Sequence, residues 1–484
     1  MEPAPRGGRP GSGSPQRVPV APVPEDQQGT RPSARSRIRT GQSRVTPLRT
    51  SVDDVVIHGA HHLQHLLRNT QRDTETASSF RFTFSASTSS RLSGNCSSST
   101  MGINSSINAF SLDLFRNLSD ANPSGNMFVS PLSISTALAM VYLGARGETA
   151  ALSLLPVIQR ALSFFPGIDI HAKVKQLIED INSPSKLYVL KTANRLYGEK
   201  TGKFLKQFVE AMRENYQADL KTVDFIRAAE ASRKEINTWV EQQTENKIKD
   251  LLKQGTVTAM SRLALVNAIY FKGNWMNRFD EANTKEMPFK FNKTESKPVQ
   301  MMFQKKNLPY KHIPEYGLQI LELPYVEEEL SMFILLPEQS TDGSDPLLKL
   351  EKELTLQRLN EWTDRENMDV QSEILVHLPK FKLEEDYQLK EPLSKLGMTD
   401  VFCASKADLS GMTGEGGLFL STVVHKAFVE VNEEGTEAAA ATGGMISVCR
   451  LREEHFTADH PFLFFIRHNK TKSILFLGRF SSPQ

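Results

Sequence analysis

The 484-residue chain has few of the residues that would place it in several large protein classes. It contains three cysteines, Cys96, Cys403 and Cys449, too few and too scattered for a disulfide framework or a zinc ribbon. No apolar run approaches the roughly 20 residues that span a bilayer, since the longest candidate, Leu132 to Leu143, is broken by serines and a threonine. These absences predict a soluble protein of a reducing compartment. We expect it in the cytoplasm, with release without a cleaved signal peptide as a further option.

An excess of charge of one sign is also missing. The 58 Lys and Arg residues nearly balance the 56 Asp and Glu residues, which leaves a formal net charge of +2. Such a balance gives little electrostatic reason to expect a nucleic acid or a membrane surface as partner.

Sequence signatures of catalysis are absent as well. The chain has no Walker A loop, no Gly-x-Ser-x-Gly elbow, no His-Glu-x-x-His and no Cys-x-x-Cys. His61 and His65 are spaced as a metal clip on a helix, but no acidic or thiol residue is nearby, so we interpret them as a chance His-rich patch. Asp459 and His460 are interpreted as a polar pair in a turn. We expect no enzyme, no metal site and no cofactor.

The first hundred residues differ from the rest in composition. Met1 to Thr50 contains nine Arg, no Lys and three acidic residues among many Pro, Gly and Ser. Such a segment cannot bury a core, and it lacks the apolar region of a secretory signal. The Arg and Ser bias fits a mitochondrial transit peptide, but the prolines would interrupt its helix. We expect residues 1–101 to be a disordered extension and residues 102–484 to form one domain.

Helical patterns dominate the first half of that domain. Ile107, Phe110, Leu114 and Leu118 recur at helical spacing after Ser105-Ser106, which suits an N-cap. Leu132 to Leu143 is apolar nearly all round, which predicts a buried helix that ends at Gly144. Ser232 to Gly255 predicts an amphipathic helical region.

Strand patterns dominate the second half. Leu318 to Leu323 and Leu330 to Leu336 are apolar runs separated by a short acidic turn, which predicts a hairpin. Phe462 to Arg467 and Ser473 to Phe480 predict a second one.

A run of small residues follows the predicted strand Val424 to Val431. It consists of Glu433, Glu434, Gly435, Thr436, Glu437, Ala438, Ala439, Ala440, Ala441 and Thr442. Such a segment can stay extended in solvent or slide between two strands without a steric penalty. At period two, one face of the inserted strand would carry only uncharged residues, and Glu437 would fall on the other face.

Four motifs in this order resemble the serpin family over Gly102 to Gln484. They are Phe128 to Ser135, Leu265 to Trp275, Val424 to Val431, and Ala458 to Phe462 with Gly478 to Pro483. The run of small residues Glu433 to Thr442, which follows the third motif, resembles the hinge of that family and is called the hinge below. The resemblance is to the intracellular, ovalbumin-like branch. It implies an α+β fold with a multi-helix N-terminal half, a large central mixed β-sheet, two smaller sheets and an exposed reactive-centre loop.

The resemblance also implies a function and its residues. A serine protease would cleave the loop, form an acyl-enzyme and be trapped when the loop inserts into the central sheet. Ser130, Ser133, Asn267 and His425 would form a buried polar cluster beneath the insertion, and Trp275 would be the aromatic residue where insertion begins. The expected partners are elastase-like or chymotrypsin-like proteases. The protein is expected to be a monomer with a liability to polymerise through its loop.

The scissile bond is not fixed by the loop sequence. Counting forward from Glu433 by the usual family loop length places it between Cys449 and Arg450, and counting back from Phe456 places it after Val448. Cleavage after Arg450 would instead suit a trypsin-like protease with an acidic pocket. A non-inhibitory serpin-fold binding protein is a further alternative. Leu152 to Gly167 departs from the family pattern, because Pro156 would disturb a helix there.

Overall fold

A computed structural model describes residues 103–154, 169–181, 188–339, 345–435 and 453–483. All of them belong to one compact unit, Cys96–Gln484. None of the helices in these ranges is long and apolar enough to cross a membrane.

The described residues form nine α-helices, most of them in the first half of the domain. The helices are α1 (Ile103–Ala121), α2 (Pro131–Gly144), α3 (Ile170–Ile181), α4 (Lys206–Tyr216), α5 (Phe225–Gln243), α6 (Pro346–Glu353), α7 (Leu356–Trp362), α8 (Lys390–Lys395) and α9 (Ser410–Thr413). A π-helical turn covers Thr149–Leu154.

Fifteen strands in the described ranges build three sheets. The strands are β1 (Met127–Val129), β2 (Tyr188–Glu199), β3 (Asp219–Val223), β4 (Leu263–Gly273), β5 (Lys285–Lys290), β6 (Ser296–Asn307), β7 (Tyr310–Ile313), β8 (Leu318–Pro324), β9 (Leu330–Pro337), β10 (Glu373–Pro379), β11 (Phe381–Gln388), β12 (Leu420–Val431), β13 (Glu453–Thr457), β14 (Phe462–His468) and β15 (Ser473–Phe480). The sheet orders are β1-β15-β14-β9-β8-β7, β13-β10-β6-β5 and β11-β12-β4-β2-β3.

The five-stranded sheet is the mixed one. Its strands β4 and β12 lie side by side and run parallel, whereas β11 and β2 pair with them antiparallel. These two central strands are 11 and 12 residues long and buried along nearly their whole length. Strand β4 is a nearly continuous apolar run, as expected of a strand buried on both faces, whereas β12 carries Ser421, Thr422, His425, Lys426 and Glu430 among its apolar residues.

Helix α2 packs against the inner face of this sheet. Its side chains Leu138 and Met140 are fully buried in the same cluster as Leu265 and Ile269 of β4. Ser130 caps the helix by accepting a hydrogen bond from the Ser133 amide, and Pro131 occupies the first helical position, where no amide donor is needed. The sheet therefore sits on a helix that begins directly under its centre.

The outer face of β4 and β12 is covered by α5 and by residues 244–257, here called the covering segment. Ile248 and Leu252 of this segment share a buried cluster with Val266 and Val424. The amide of Leu252 donates to Asn237 Oδ1 of α5 at 2.8 Å. Both faces of the central strand pair are thus covered along most of their length.

The structure confirms the predicted buried helix and both predicted hairpins. The predicted boundaries of two helices are wrong. Helix α1 begins at Ile103, so Ser105 and Ser106 lie inside its first turn and not at its cap. Helix α5 ends at Gln243, far short of Gly255, because the backbone of Glu245 and Asn246 turns into the left-handed region and breaks the helix.

A buried ion pair ties the six-stranded sheet to two helices, and we expect its disruption to be costly. Arg479 of β15, 1% exposed, contacts Glu351 of α6 at 3.0 Å and Ser119 of α1 at 2.9 Å. Replacing Arg479 by Leu should lower the free energy of unfolding by about 3–5 kcal/mol, because it leaves a buried carboxylate without its partner. Urea unfolding of Arg479→Leu and of the Arg479→Leu, Glu351→Leu double variant tests this. The double variant should recover part of the loss, because the carbonyls of Asn122 and Gly125 still lack the hydrogen bonds that Arg479 donates.

Candidate functional site

The site begins where the two parallel central strands stop pairing. Strands β4 and β12 form eight residue pairs with one register shift between Leu420 and Thr422, and the last pair is Phe428 with Tyr270. Beyond it each strand continues for three more residues that are not paired with the other strand. The two strands are therefore paired along most of their length and unpaired at this end.

The first hinge residues reverse the chain into that opening. Asn432 and Gly435 exchange two backbone hydrogen bonds of 3.2 Å, so that Glu433 and Glu434 form a tight two-residue turn after β12. Gly435 also pairs antiparallel with Asn274, the residue after β4. Gly435 therefore lies between the continuations of both central strands.

Only glycine fits at this position. Gly435 has φ +112°, and a Cβ there would lie 2.4 Å from the carbonyl oxygen of Gly273 and 2.6 Å from the amide nitrogen of Trp275. Both neighbours are backbone atoms that have no rotamer by which to move aside. The sequence motif Glu-Glu-Gly thus encodes the close approach of the hinge to β4.

Trp275 holds the base of the hinge from the side of β4. Its amide donates to Glu434 O at 3.0 Å, and its indole Nε1 donates to Asn432 O at 3.0 Å. The ring is 2% exposed and stacks on Tyr325 with 4.6 Å between ring centroids. The structure places the predicted aromatic residue directly beside the start of the hinge.

Glu433 anchors the turn from the opposite side. Its carboxylate accepts a hydrogen bond from Thr284 at 2.7 Å and pairs with Lys380 at 2.7 Å, while its carbonyl accepts from the Phe279 amide. Burial alone would raise the pKa of the Glu433 carboxyl, but the bonds from Lys380 and Thr284 outweigh it and hold that pKa below its ordinary value. The turn is fixed by charge as well as by backbone bonds.

The four residues expected to form a buried polar cluster lie together under the central sheet. His425 Nε2 accepts the Ser130 amide at 3.0 Å, and His425 Nδ1 donates to Asn267 Oδ1. Asn267 Nδ2 donates to Ser133 Oγ at 2.7 Å. Ser130 Oγ donates to Leu475 O at 2.7 Å, which links the cluster to the six-stranded sheet.

This network fixes the protonation state of the imidazole. Because His425 Nε2 is an acceptor, the single ring proton of the neutral form sits on Nδ1. His425 is fully buried, and this burial lowers its pKa to about 3. The imidazole stays neutral at physiological pH, as a desolvated site without an acidic partner requires.

Two further members of the network were not predicted. Asn194 of β2 accepts a hydrogen bond from Asn267, and Tyr387 of β11 stacks against His425 while its hydroxyl accepts the Phe128 amide at 3.1 Å. The strand registers put Asn194, Asn267, His425 and Tyr387 in one row across four strands. Only the register reveals this row, since its members are far apart in the sequence.

Several predicted residues lie outside the described ranges. They are the remaining hinge residues Thr436, Glu437, Ala438, Ala439, Ala440, Ala441 and Thr442, the candidate scissile residues Val448, Cys449 and Arg450, and the histidines near residue 60. Residues 436–452 connect β12 of the mixed sheet to β13 of the four-stranded sheet. Within the ranges that are described, no group of three or more His, Cys, Asp or Glu side chains could hold a metal ion.

Comparison with known proteins identifies the class. The family model described as serpin (serine protease inhibitor) matches residues 105–483. The leukocyte elastase inhibitor of Xenopus tropicalis is 55% identical over 382 residues, 79% of this chain and 99% of that protein. The leukocyte elastase inhibitor of Homo sapiens is 55% identical over 375 residues, 77% of this chain and 97% of that protein.

The fold agrees with this result. The crystal structure of uncleaved ovalbumin superposes with a TM-score of 0.71 at 35% identity and covers 79% of this chain and 100% of its own. The chain belongs to the serpin family, the serine protease inhibitors that act as suicide substrates. The predicted family and the α+β serpin fold are confirmed.

The buried neutral imidazole makes stability depend on pH. Between the folded pKa of His425, about 3, and its ordinary value of 6.5, the unfolded chain binds the additional proton. Stability contributed by the neutral ring is therefore present above about pH 6.5 and is lost as the pH falls below it, by up to about 1.4 kcal/mol per pH unit. The variant His425→Gln should lose less stability on acidification.

Urea unfolding midpoints at about pH 7.5 and about pH 5 measure this difference. His312→Gln is the control, because His312 is exposed and lies on β7 of the six-stranded sheet, where its partner is Glu338. Equal pH dependence in the natural chain and in His425→Gln would contradict the assignment of this titration to His425.

Proposed function

We propose that residues 436–452 are the bait that a serine protease cleaves, and that the freed hinge then inserts between β4 and β12. The observation that supports this most directly is the position of Gly435 between Asn274 and Asn432. Gly435, the first residue of the incoming strand, already lies between the two strands, and in the next rows of the sheet β4 and β12 are not paired with each other. Insertion continues a pairing that has already begun.

The register of the inserted strand follows from that pairing. In an antiparallel pair each step forward along one strand is a step backward along the other. From Gly435, residue 442 arrives opposite Asn267 on β4 and opposite His425 on β12. Both neighbours give the same row, because Asn267 and His425 are themselves paired.

Thr442 then lies between Asn267 and His425, in the row of polar residues that crosses the sheet. Insertion separates Asn267 from His425 and breaks the hydrogen bond between their side chains. A buried donor or acceptor left without a partner costs about 1–3 kcal/mol. The Thr442 hydroxyl can both donate and accept, so it can satisfy both groups at once.

The same register separates the two faces of the hinge. Residues 436, 438, 440 and 442 share the inner face with Phe271, Ile269 and Val429, all of them buried against α2 or its cluster. Glu437 falls on the outer face in the row of Lys272 and Glu430, which are only partly buried. The one charge of the inserted segment is therefore placed where water and a lysine reach it.

For the target we propose a protease of the elastase or chymotrypsin type, cleaving between Cys449 and Arg450. The names of the relatives, leukocyte elastase inhibitors, support the elastase type. Cleavage after Val448 would keep the same protease class, whereas cleavage after Arg450 would bring in trypsin-like proteases. A cytoplasmic location is proposed with it, because the chain has only three, scattered cysteines.

Incubation of the full chain with an elastase-like, a chymotrypsin-like and a trypsin-like protease tests this proposal. We expect a complex with the elastase-like protease that survives SDS, and a released peptide that begins at Arg450. A peptide that begins at Cys449 or at Leu451 would move the scissile bond by one residue. Cleavage by every protease without any stable complex would contradict the trap and favour a non-inhibitory serpin.

The position of the hinge charge tests the register. In Glu437→Ala, Ala438→Glu the charge keeps its chemistry but moves to the inner face, in the row of Phe271 and Val429. Burying that unpaired carboxylate costs several kcal/mol and should stall insertion, so the protease should cleave the loop and leave. The single variant Glu437→Ala is the matched control and should still form complexes. Equal trapping by both variants would exclude this register.

A further inference from the structure

The hairpin turn between β8 and β9 is strained, because it adopts left-handed backbone at residues that are not glycine. Glu327 and Glu328 both have left-handed backbone, with φ of +59° and +56°. Two consecutive residues of this kind are the geometry for which hairpins ordinarily use Asn-Gly. Residues other than glycine rarely adopt this backbone conformation, so the surroundings must hold the turn in place.

Arg365 is the side chain that holds the turn. Its guanidinium binds the buried carboxylate of Glu322 through Nη2 at 2.8 Å and through Nε at 2.9 Å, and its Nη1 binds Glu328. Glu322 is 0% exposed and also accepts a hydrogen bond from Ser331 at 2.6 Å. One arginine thus joins the strained turn to a fixed, buried point on β8.

A second contact comes from the hairpin of β14 and β15. Asn469 Nδ2 donates to Glu328 O and to Ser331 Oγ, each at 2.8 Å, and the Asn469 amide donates to Glu329 O at 2.8 Å. The sequence Asn469-Lys470-Thr471 reads as a glycosylation sequon, but its amide is used for this contact. The turn is therefore held from two sides.

The turn leads directly to Asn274 and Trp275, which bind the first hinge residues and are here called the seat of the hinge. The Glu328 amide donates to Tyr325 O at 2.9 Å, and the Val326 amide donates to Asn274 O at 2.9 Å. Asn274 is the residue that pairs with Gly435, and Tyr325 is the ring on which Trp275 stacks. A continuous path of polar and ring contacts runs from Arg365 through the turn to the first inserted residue.

We propose that Arg365 is a positioning residue for protease trapping: through Glu328 it fixes the strained turn, and the turn sets the position of Asn274 and Trp275 on which the hinge is seated. This proposal rests on the proposed function. If the turn relaxes, Asn274 is no longer held in the position where it pairs with Gly435, and insertion starts later after cleavage. More acyl-enzyme is then hydrolysed before the protease is trapped.

Glu328→Gln is the variant that tests the path, since it weakens the contact to Arg365 and leaves the buried Glu322–Arg365 pair intact. Loss of such a partly exposed ion pair, worth up to about 1 kcal/mol, should raise the number of inhibitor molecules consumed per trapped protease about two- to five-fold. Hydrogen exchange at the amides of Trp275, Met276 and Val326 should become faster. The unfolding midpoint in urea should change little.

Glu327→Gln is the matched control, because Glu327 is exposed in the same turn and carries the same charge. It should leave both trapping and exchange unchanged. Arg365→Lys keeps the charge but loses the forked contact to the buried Glu322, so it should impair trapping at least as much as Glu328→Gln and should also lower the unfolding midpoint in urea.

The outcomes separate this proposal from the proposed function. If Glu328→Gln leaves the exchange at Trp275 unchanged, or if both Glu→Gln variants alter trapping alike, the positioning role is wrong. If the natural chain traps no protease, the proposed function fails, and the exchange measurement still decides whether Arg365 controls the seat of the hinge.

Discussion

The parallel pairing of β4 with β12 is the constraint on which the rest of the molecule depends. The two strands pair directly over eight rows, although each could pair with an antiparallel strand placed between them. Parallel pairing is slightly less stable per residue than antiparallel pairing. An inserted strand would replace one parallel ladder by two antiparallel ones. The native sheet is therefore a closed arrangement that still has stabilising hydrogen bonds to gain, and the chain itself contains the segment that can supply them.

Keeping such a sheet closed requires interactions that are specific to the closed state. The hydrogen bond between His425 and Asn267 joins the two strands at the middle of their pairing and extends to Ser130 and Ser133 below. The groups are buried, so each has to stay paired in every state that persists. An apolar row at this position would offer no such discrimination, because it would close equally well with or without an added strand.

The sequence was informative where local chemistry carries the meaning. The apolar run Leu132 to Leu143 predicts a buried helix, which the structure confirms. Glu-Glu-Gly before small residues predicts a hinge, and the described residues Glu433 to Gly435 form a tight turn after β12. Asn194 and Tyr387 were missed because they join the polar row only through strand register, which is a property of tertiary pairing. The end of α5 at Gln243 was missed because Glu245 and Asn246 give no compositional signal of left-handed backbone. The scissile bond was not fixed, because its position depends on counting residues along the loop and the loop sequence has no hydrophobic periodicity that sets this count.

The bonds at the hinge turn act as a fixed anchor and not as a latch that must break. Gly435 already occupies its place between the two strands, so insertion changes the rows beyond it and leaves the turn as it is. Glu433 can keep Lys380 and Thr284 throughout, and Trp275 can keep the carbonyls of Asn432 and Glu434. A strong ion pair at this end therefore does not oppose insertion. In the proposed insertion it fixes the register from the first residue onward, so that a small uncharged side chain, and not Glu437, would enter each inner row.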